Sequence, residues 1–217
     1  PILLRRNMVD GVIVNSLNIG AEAYAEMGLR LVGIDCDLGE TSVQIASDSY
    51  GIGELATRRL IDDGCSRILC LRNNSRMRMP ANKRTDAYHD IVEQAGLPAL
   101  VREVEFVKSD DEKSAVVAKI LDENPDIDGI FAGDDTMAAI CLNVMKRRGL
   151  SAPDDIKVVG ADGARRTMTF MPDLTTVRQD IDRIGELAAQ SIIALVNGEK
   201  PESNTKLPVE LIEGKTA

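Results

Sequence analysis

The sequence has little of the chemistry that catalysis and metal binding most often use. His89 is the only histidine among 217 residues, which excludes most histidine-based catalytic arrangements and most zinc sites. The four cysteines, Cys36, Cys65, Cys70 and Cys141, are scattered and form no CxxC pair, a pattern typical of buried, reduced thiols in a cytoplasmic protein. No nucleophile stands beside a base in a recognisable motif. We therefore expect no enzyme, no metal site and no cofactor.

Long apolar runs and a basic charge balance are also absent. No stretch reaches the roughly 18 apolar residues that a membrane helix needs. The start of the chain lacks the basic, apolar and small-residue layout of a secretory signal, which favours a cytoplasmic location. The formal net charge is −9, and so acidic a chain repels a phosphate backbone. We do not expect this segment to be the part that contacts DNA.

Short apolar runs rich in Val and Ile alternate with amphipathic stretches of about ten to fifteen residues, and this alternation predicts an α/β fold with parallel sheets. Glycines, prolines and charged residues end the helical stretches where helix caps are expected. The predicted strands are Gly11–Asn15, Leu31–Asp35, Val43–Ala46, Arg67–Arg72, Val101–Lys108, Gly129–Gly133, Lys157–Gly160 and Val209–Glu213. The predicted helices are Tyr50–Asp63, Asn82–Gln94, Ser109–Glu123, Asp135–Arg148 and Ile181–Val196.

Charged side chains follow three of the predicted strands directly. The carboxyl ends of parallel strands meet at one edge of a sheet, where ligands of such folds bind. One such loop alone is usually only a solvated surface, and an aspartate there also serves as a helix N-cap. Charges that recur at the same edge predict a polar cleft for a hydroxylated or charged molecule. The residues concerned are Arg76, Arg78, Lys83, Arg84, Asp134, Asp135, Asp162, Arg165 and Arg166.

One segment offers an alternative interpretation as a nucleotide site. Gly51-Ile-Gly53-Glu-Leu-Ala56 matches the GxGxxA pattern that brings a pyrophosphate to a helix N-terminus. Asp48 precedes it and would place a carboxylate near the phosphates. The next predicted strand ends in Arg72 rather than in the acidic residue that binds a ribose. A nucleotide-dependent enzyme therefore remains a weak alternative.

Six segments resemble sequence motifs of the LacI/GalR family of transcription regulators, in the family's order and along nearly the whole chain. They match the family's DGIII strand, its A-x-x-L-x-x-x-G-H-x-x-I segment (here with Cys65 in place of His), R-x-x-G-aromatic, xNDxMAxG, VVGYD and P-x-LTTVxQ. The matching segments are Asp10–Asn15, Ala56–Ile68, Arg84–Tyr88, Ala132–Ala139, Val158–Asp162 and Pro172–Gln179. On these segments the sequence is identified as a member of that family.

The resemblance implies a periplasmic-binding-protein-like type I fold, in which two doubly wound, parallel-sheet subdomains are joined by three hinge crossovers. The N-terminal subdomain would comprise residues 1–47 and 180–207. The C-terminal, effector-binding subdomain would comprise residues 48–178 and 208–217. By the family pattern the first two βα units and the helix-turn-helix headpiece are missing. We therefore expect either a piece of a longer regulator or a sequence from which earlier residues are omitted.

The resemblance also implies a small-molecule effector in the cleft between subdomains, coupled by hinge closure to operator DNA through the headpiece of a homodimer. Arg84, Asp134 and Asp162 match the family's ligand-binding positions. A guanidinium group and two carboxylates can satisfy adjacent hydroxyl groups, and leaving them unpaired in a closed cleft costs about 1–3 kcal/mol each. Four further residues are expected near the effector: Tyr88, Phe106, Arg76 and Arg78.

The chemistry of the effector is less determined. Ala161 stands where the family has an aromatic residue, and aromatic rings usually cover the apolar face of a sugar. The arginines around the cleft favour an anionic group, so the expected effectors are a sugar, a sugar acid or a phosphosugar. An exported sugar-binding protein of a transporter shares this fold and is the main alternative. The absent secretory signal and the LTTVRQ segment favour the regulator.

Overall fold

The computed structural model describes residues 9–15, 29–36, 38, 42–74, 81–105 and 107–217. These residues form two compact units. Unit 1 holds the described residues among Pro1–Asp48 and Asp180–Pro208 together with Ala81, and unit 2 holds those among Ser49–Arg76, Asn82–Gln179 and Val209–Ala217. The chain passes between the units at Asp48–Ser49, Gln179–Asp180 and Pro208–Val209, and also at Ala81–Asn82, since Ala81 belongs to unit 1.

The described elements are named in chain order. The strands are β1 (Gly11–Val14), β2 (Arg30–Ile34), β3 (Val43–Ser47), β4 (Ile68–Asn74), β5 (Leu100–Glu105), β6 (Gly129–Ala132), β7 (Lys157–Asp162), β8 (Thr175–Gln179), β9 (Asn204–Leu207) and β10 (Val209–Ile212). The helices are α1 (Ser49–Asp62), α2 (Asn82–Gln94), α3 (Asp110–Glu123), α4 (Asp135–Arg147), α5 (Arg165–Phe170) and α6 (Ile181–Val196).

Unit 1 contains a parallel sheet with the strand order β1-β2-β3-β9. Helix α6 packs against β1, β2 and β3. Its side chains at helical spacing, Ile184 and Ala188, are buried with Val32, Val43 and Ile45 of the sheet. The helix begins after Asp180, whose carboxylate accepts a hydrogen bond from the Arg183 amide at 3.0 Å and so caps the first turn.

Unit 2 contains a sheet with the strand order β10-β8-β7-β6-β4-β5, parallel except for the antiparallel pair of β10 and β8. Strand β4 shows how both faces are covered: Leu69 and Leu71 pack into one apolar cluster with residues of α3 and α4. Ile68 and Cys70 pack into a second cluster with residues of α1 and α2. Strands that are buried on both faces have nearly continuous apolar sequences, so these strands could be predicted from the sequence. The predicted α/β periplasmic-binding-protein-like fold is confirmed.

Two strands and one short helix, β8, β9 and α5, were not predicted. Strand β8 lacks an apolar run, because its buried residues include Thr175 and Thr176. Their hydroxyls donate to the Ala217 carbonyl at 3.1 Å and to Asp135 at 2.6 Å, so these polar groups are satisfied inside the core. Among the described residues no helix combines the length and the apolar character that crossing a membrane requires.

Candidate functional site

Polar side chains converge at the carboxyl edge of the unit 2 sheet. Asn73 lies near the end of β4, Asp134 follows β6, and Asp162 and Gln179 are the last residues of β7 and β8. Arg84 joins them from the first turn of α2. These residues lie where strands of the sheet end and the following helices begin, which is the position at which α/β sheets bind ligands.

Arg84 links two of these strand ends. Its Nη1 donates to the Gly133 carbonyl at 2.6 Å, and its Nη2 donates to Asp162 Oδ1 at 2.9 Å. Its side chain is only 12% exposed. Its Nε is buried and has no hydrogen-bond partner among the described residues. The guanidinium group is therefore held between the ends of β6 and β7 by its two outer nitrogens.

Asp162 presents its carboxylate from a strained backbone. Its φ of 102° lies in the left-handed region, which residues other than glycine rarely adopt. Oδ1 accepts from Arg84 and from Gln179 Nε2, the latter at 2.5 Å. The side chain remains 31% exposed. Both described bonds go to Oδ1, so Oδ2 is the oxygen of this carboxylate that is available to a ligand.

Asp134 is the N-cap of α4. Its Oδ1 accepts from the Met137 amide at 2.8 Å, and its Oδ2 accepts from Asn73 Nδ2 at 2.6 Å. The N-cap interpretation of this aspartate is confirmed. Asn73 was missed by sequence reasoning, although its place next to the end of an apolar strand is the same signal that identified Asp134.

Asp135 lies beneath these residues and is 3% exposed. Its Oδ1 accepts from the Thr176 hydroxyl at 2.6 Å, and its Oδ2 accepts from the Gly163 amide at 2.9 Å. Burial raises the pKa of the Asp135 carboxyl to about 6, and the nearby charge of Asp162 adds to the rise, while the hydrogen bonds oppose it. The sequence marked Asp135 as one of several charges at this edge and did not predict that it is buried.

The raised pKa of Asp135 predicts a pH dependence of stability. A carboxyl whose pKa is higher in the folded than in the unfolded chain stabilises the fold when protonated, and this contribution is lost as pH rises through about 6. Between pH 4 and 6 the free energy of unfolding should fall by up to about 1.4 kcal/mol for each unit that pH rises. Urea unfolding of the native chain and of Asp135→Asn across this range measures it. The slope difference between the two proteins should vanish above pH 7; identical slopes throughout would contradict the assignment.

The structure places Arg84, Asp134 and Asp162 at one sheet edge and Tyr88 elsewhere. Tyr88 is fully buried among the apolar residues between α2 and the sheet. Its hydroxyl donates to the Ile68 carbonyl at 2.7 Å and accepts from the Leu100 amide at 2.8 Å. As a correction, we assign Tyr88 to the core and not to the candidate site. Three further predicted residues, Arg76, Arg78 and Phe106, lie outside the described residues.

The GxGxxA segment is explained by helix packing. Gly51 and Gly53 lie inside α1, which begins at Ser49, so they form no glycine-rich turn before a helix. A Cβ atom on Gly53 would lie 2.1 Å from the carbonyl oxygen of Arg84. This glycine lets α1 approach the backbone of α2. The pattern therefore reflects contact between two helices, and the nucleotide interpretation loses its physical basis.

Among the described residues, the cysteines and acidic groups do not form a second candidate functional site. No group of three or more His, Cys, Asp or Glu side chains in that part of the chain is placed to hold a metal ion. None of the four cysteines, all of which lie among the described residues, forms a disulfide bond. Burial raises the pKa of the Cys65 thiol to about 11 and those of Cys70 and Cys141 to about 12. Thiols with such pKa values are poor nucleophiles at neutral pH.

Comparison with known proteins matches this chain to one domain family and to repressors of sugar operons. Residues 57–217 match the family model described as a periplasmic binding protein-like domain. The chain is 31% identical over 217 residues to a sucrose operon repressor of Pediococcus pentosaceus, covering 99% of this chain and 66% of the repressor. It is 30% identical to a ribose operon repressor of Halalkalibacterium halodurans, covering 98% of this chain and 64% of that protein. The chain thus spans less than two thirds of either relative.

The solved structure of a transcriptional regulator is also similar to this chain. The transcriptional regulator CelR in complex with cellobiose is 26% identical and superposes with a TM-score of 0.85. The match covers 100% of this chain and 70% of CelR. At this score the two chains share a fold, including the sheet whose carboxyl edge carries Arg84, Asp134 and Asp162.

Proposed function

The chain belongs to the periplasmic binding protein-like domain family, together with repressors of the LacI type, and on this premise we propose that it is the effector-sensing part of a transcription regulator that binds a sugar. The observation that carries the proposal is the arrangement of Arg84, Asp162 and Asp134 at one sheet edge. Such an arrangement suits the binding of a polar ligand, and together with the repressors among the relatives it supports a regulator.

The residues at this edge suit vicinal hydroxyl groups. Asp162 keeps Oδ2 free of described bonds while Arg84 and Gln179 hold Oδ1. Asp134 is fixed by the Met137 amide and Asn73. A carboxylate held by its own partners can accept a hydrogen bond from a hydroxyl group without losing further side-chain entropy on binding. A ligand that supplies two or more adjacent hydroxyl groups would complete these hydrogen bonds, and such a pattern is typical of sugars.

The charges at the edge favour a neutral sugar over an acidic one. The arginines of the sequence suggested an anionic effector, but Arg84 is paired with Asp162. Asp134 adds a second carboxylate, and Asp135 lies buried behind them. A ligand held against Asp134 and Asp162 would therefore meet two carboxylates and one guanidinium group that is already paired, which disfavours an anionic group at that place. The names of the relatives, which refer to sucrose and ribose, and cellobiose bound to CelR support the same choice.

Calorimetry tests this proposal directly. The chain is titrated with sucrose, D-ribose and cellobiose, and in parallel with D-gluconate and ribose 5-phosphate at the same ionic strength. We expect one of the neutral sugars to bind at least about tenfold more tightly than either anion, a difference of about 1.4 kcal/mol. Tight binding of an anion with no binding of a neutral sugar would overturn the choice of ligand. Absence of binding by all five would count against sugar sensing.

We further propose that sugar binding in the whole protein is coupled to operator DNA, in a dimeric and cytoplasmic regulator. A ligand shifts a conformational equilibrium by its differential affinity for the two states. The formal net charge of −9 argues that this segment does not itself hold the DNA. The alternative, an exported sugar-binding protein of a transporter, is distinguished by the coding sequence upstream of Pro1. A helix-turn-helix there supports the regulator, and a secretory signal supports the exported sugar-binding protein.

A further inference from the structure

We propose that Asp135 is a positioning residue that sets the ligand-binding geometry of Asp162 without touching the ligand. The inference rests on the proposed function, since it concerns how the sugar site is held. Asp135 is 3% exposed and its carboxylate is occupied by partners in the core. It acts on Asp162 along two routes.

The first route is the turn that follows β7. Asp162 and Gly163 both adopt left-handed backbone conformations, with φ values of 102° and 57°. Two consecutive residues in that region form a turn that needs an external restraint when the first is not glycine. The Gly163 amide donates to Asp135 Oδ2 at 2.9 Å and supplies that restraint. The residue held by Asp135 is thus the immediate neighbour of Asp162.

The second route is strand β8. The Thr176 hydroxyl donates to Asp135 Oδ1 at 2.6 Å. On the same strand, Gln179 donates to Asp162 Oδ1 at 2.5 Å. Asp135 therefore ties together the strand that supplies a hydrogen bond to Asp162 and the turn that carries Asp162.

The space that the Asp135 carboxylate occupies depends on a glycine of strand β7. A Cβ atom on Gly160 would lie 2.6 Å from Asp135 Oδ1, so the glycine in the Val-Val-Gly-Ala-Asp segment is required by Asp135. A Cβ atom on Gly163 would lie 2.8 Å from the Cα atom of Arg178. Helix α4, strand β7 and strand β8 thus meet around a single buried acid. A group with a purely local capping role in α4 would not require a glycine on a strand, as Asp135 requires Gly160 of β7.

Four variants test the positioning role: Asp135→Ala, Asp135→Asn, Thr176→Val and the control Asp128→Ala. Affinity is measured with sucrose and with D-ribose. Asp135→Ala removes both routes and should weaken binding by about tenfold or more, because the supporting shell of the site is lost. Asp135→Asn should restore most of the affinity, since its amide oxygen can accept from Gly163 and its amide nitrogen can donate to the Thr176 hydroxyl. Thr176→Val removes one route and should show a smaller loss.

Asp128 is a matched control on the same sheet. It precedes β6, at the opposite edge, and accepts from the Ser66 and Arg67 amides at 2.7 and 2.8 Å. Asp128→Ala loses a comparable set of hydrogen bonds and should leave sugar affinity unchanged. Equal losses of affinity in Asp128→Ala and Asp135→Ala would mean that both act only through stability, and would overturn the positioning role.

A second measurement separates this inference from the proposed function. Hydrogen exchange of the Gly163 amide needs no ligand, and it should accelerate in Asp135→Ala and remain slow in Asp135→Asn and Asp128→Ala. Unchanged exchange in Asp135→Ala would overturn the inference even if sugars bind. If the native chain binds none of the five compounds of the calorimetric test, the proposed function fails, while the exchange rates still decide whether Asp135 holds the turn. Should Asp135→Ala fail to fold, Thr176→Val keeps the inference testable, because it removes the route through β8 and should still weaken sugar binding, and unchanged affinity in that variant would overturn the inference.

Discussion

Replacing Arg84 by alanine is expected to have the largest effect on sugar binding, a loss of about a hundredfold or more. The change leaves the Gly133 carbonyl without its described donor and the Asp162 carboxylate with Gln179 as its one remaining described donor. Each group left unpaired costs about 1–3 kcal/mol, and about 2.7 kcal/mol corresponds to a hundredfold change in affinity. Because Asp162 is 31% exposed, water recovers part of the loss in the free protein. The bound state, from which water is displaced, bears the full effect.

Calorimetry with the tightest-binding neutral sugar measures this loss, and urea unfolding measures the accompanying change in stability. Arg148 offers a matched control, because it too donates to one carboxylate, Asp122, and to one backbone carbonyl, that of Ala118. Arg148→Ala should reduce stability without changing affinity. Arg84→Lys should recover only part of the binding, since an ammonium group cannot reproduce the fork of a guanidinium group. Unaltered affinity in Arg84→Ala would remove this residue from the site.

Arg84 and Asp162 also show how far sequence reasoning reaches. Both follow or face the carboxyl ends of predicted parallel strands, so the convergence of their types at one sheet edge could be predicted. Their ion pair could not, because they are 78 residues apart and only the strand order brings them together. That pairing offsets the charge of Arg84, which is why the sequence favoured an anionic effector and the contacts at Asp134 and Asp162 favour a neutral one.

Tyr88 and Asp135 also show which contacts could not be predicted from the sequence. Tyr88 stands one helical turn after Arg84, and spacing alone does not say which of two such residues faces the edge and which faces the core. Asp135 stands next to Asp134, yet it is 28 residues from Gly163 and 41 from Thr176, the groups that give it a role. Hydrophobic periodicity in the sequence predicts which face of a helix or strand is buried. It carries no information on hydrogen bonds that cross between strands.

Replacing Gly53 by alanine is expected to have the largest effect on the stability of unit 2. The added Cβ atom would lie 2.1 Å from the Arg84 carbonyl oxygen and 2.8 Å from the carbonyl carbon, and backbone atoms cannot move aside by a change of rotamer. Helices α1 and α2 must therefore separate along their contact. Overpacking of a close contact costs about 1–3 kcal/mol, and occasionally more when backbone must shift. We expect a loss at or above the upper end of that range.

Gly185 of α6 supplies the contrast that makes the Gly53 result specific. A Cβ atom there would meet no atom of the described residues within 4 Å, so Gly185→Ala should stabilise its helix by about 1 kcal/mol through helix propensity alone. The same chemical change is thus predicted to act with opposite sign in two helices, as measured by thermal unfolding and by hydrogen exchange in α1 and α6. Since Gly53 abuts the backbone of Arg84, its replacement should also weaken sugar binding, whereas Gly185→Ala should not. A neutral or stabilising Gly53→Ala would show that the two helices do not meet at this glycine, and the position of Arg84 would then need another explanation.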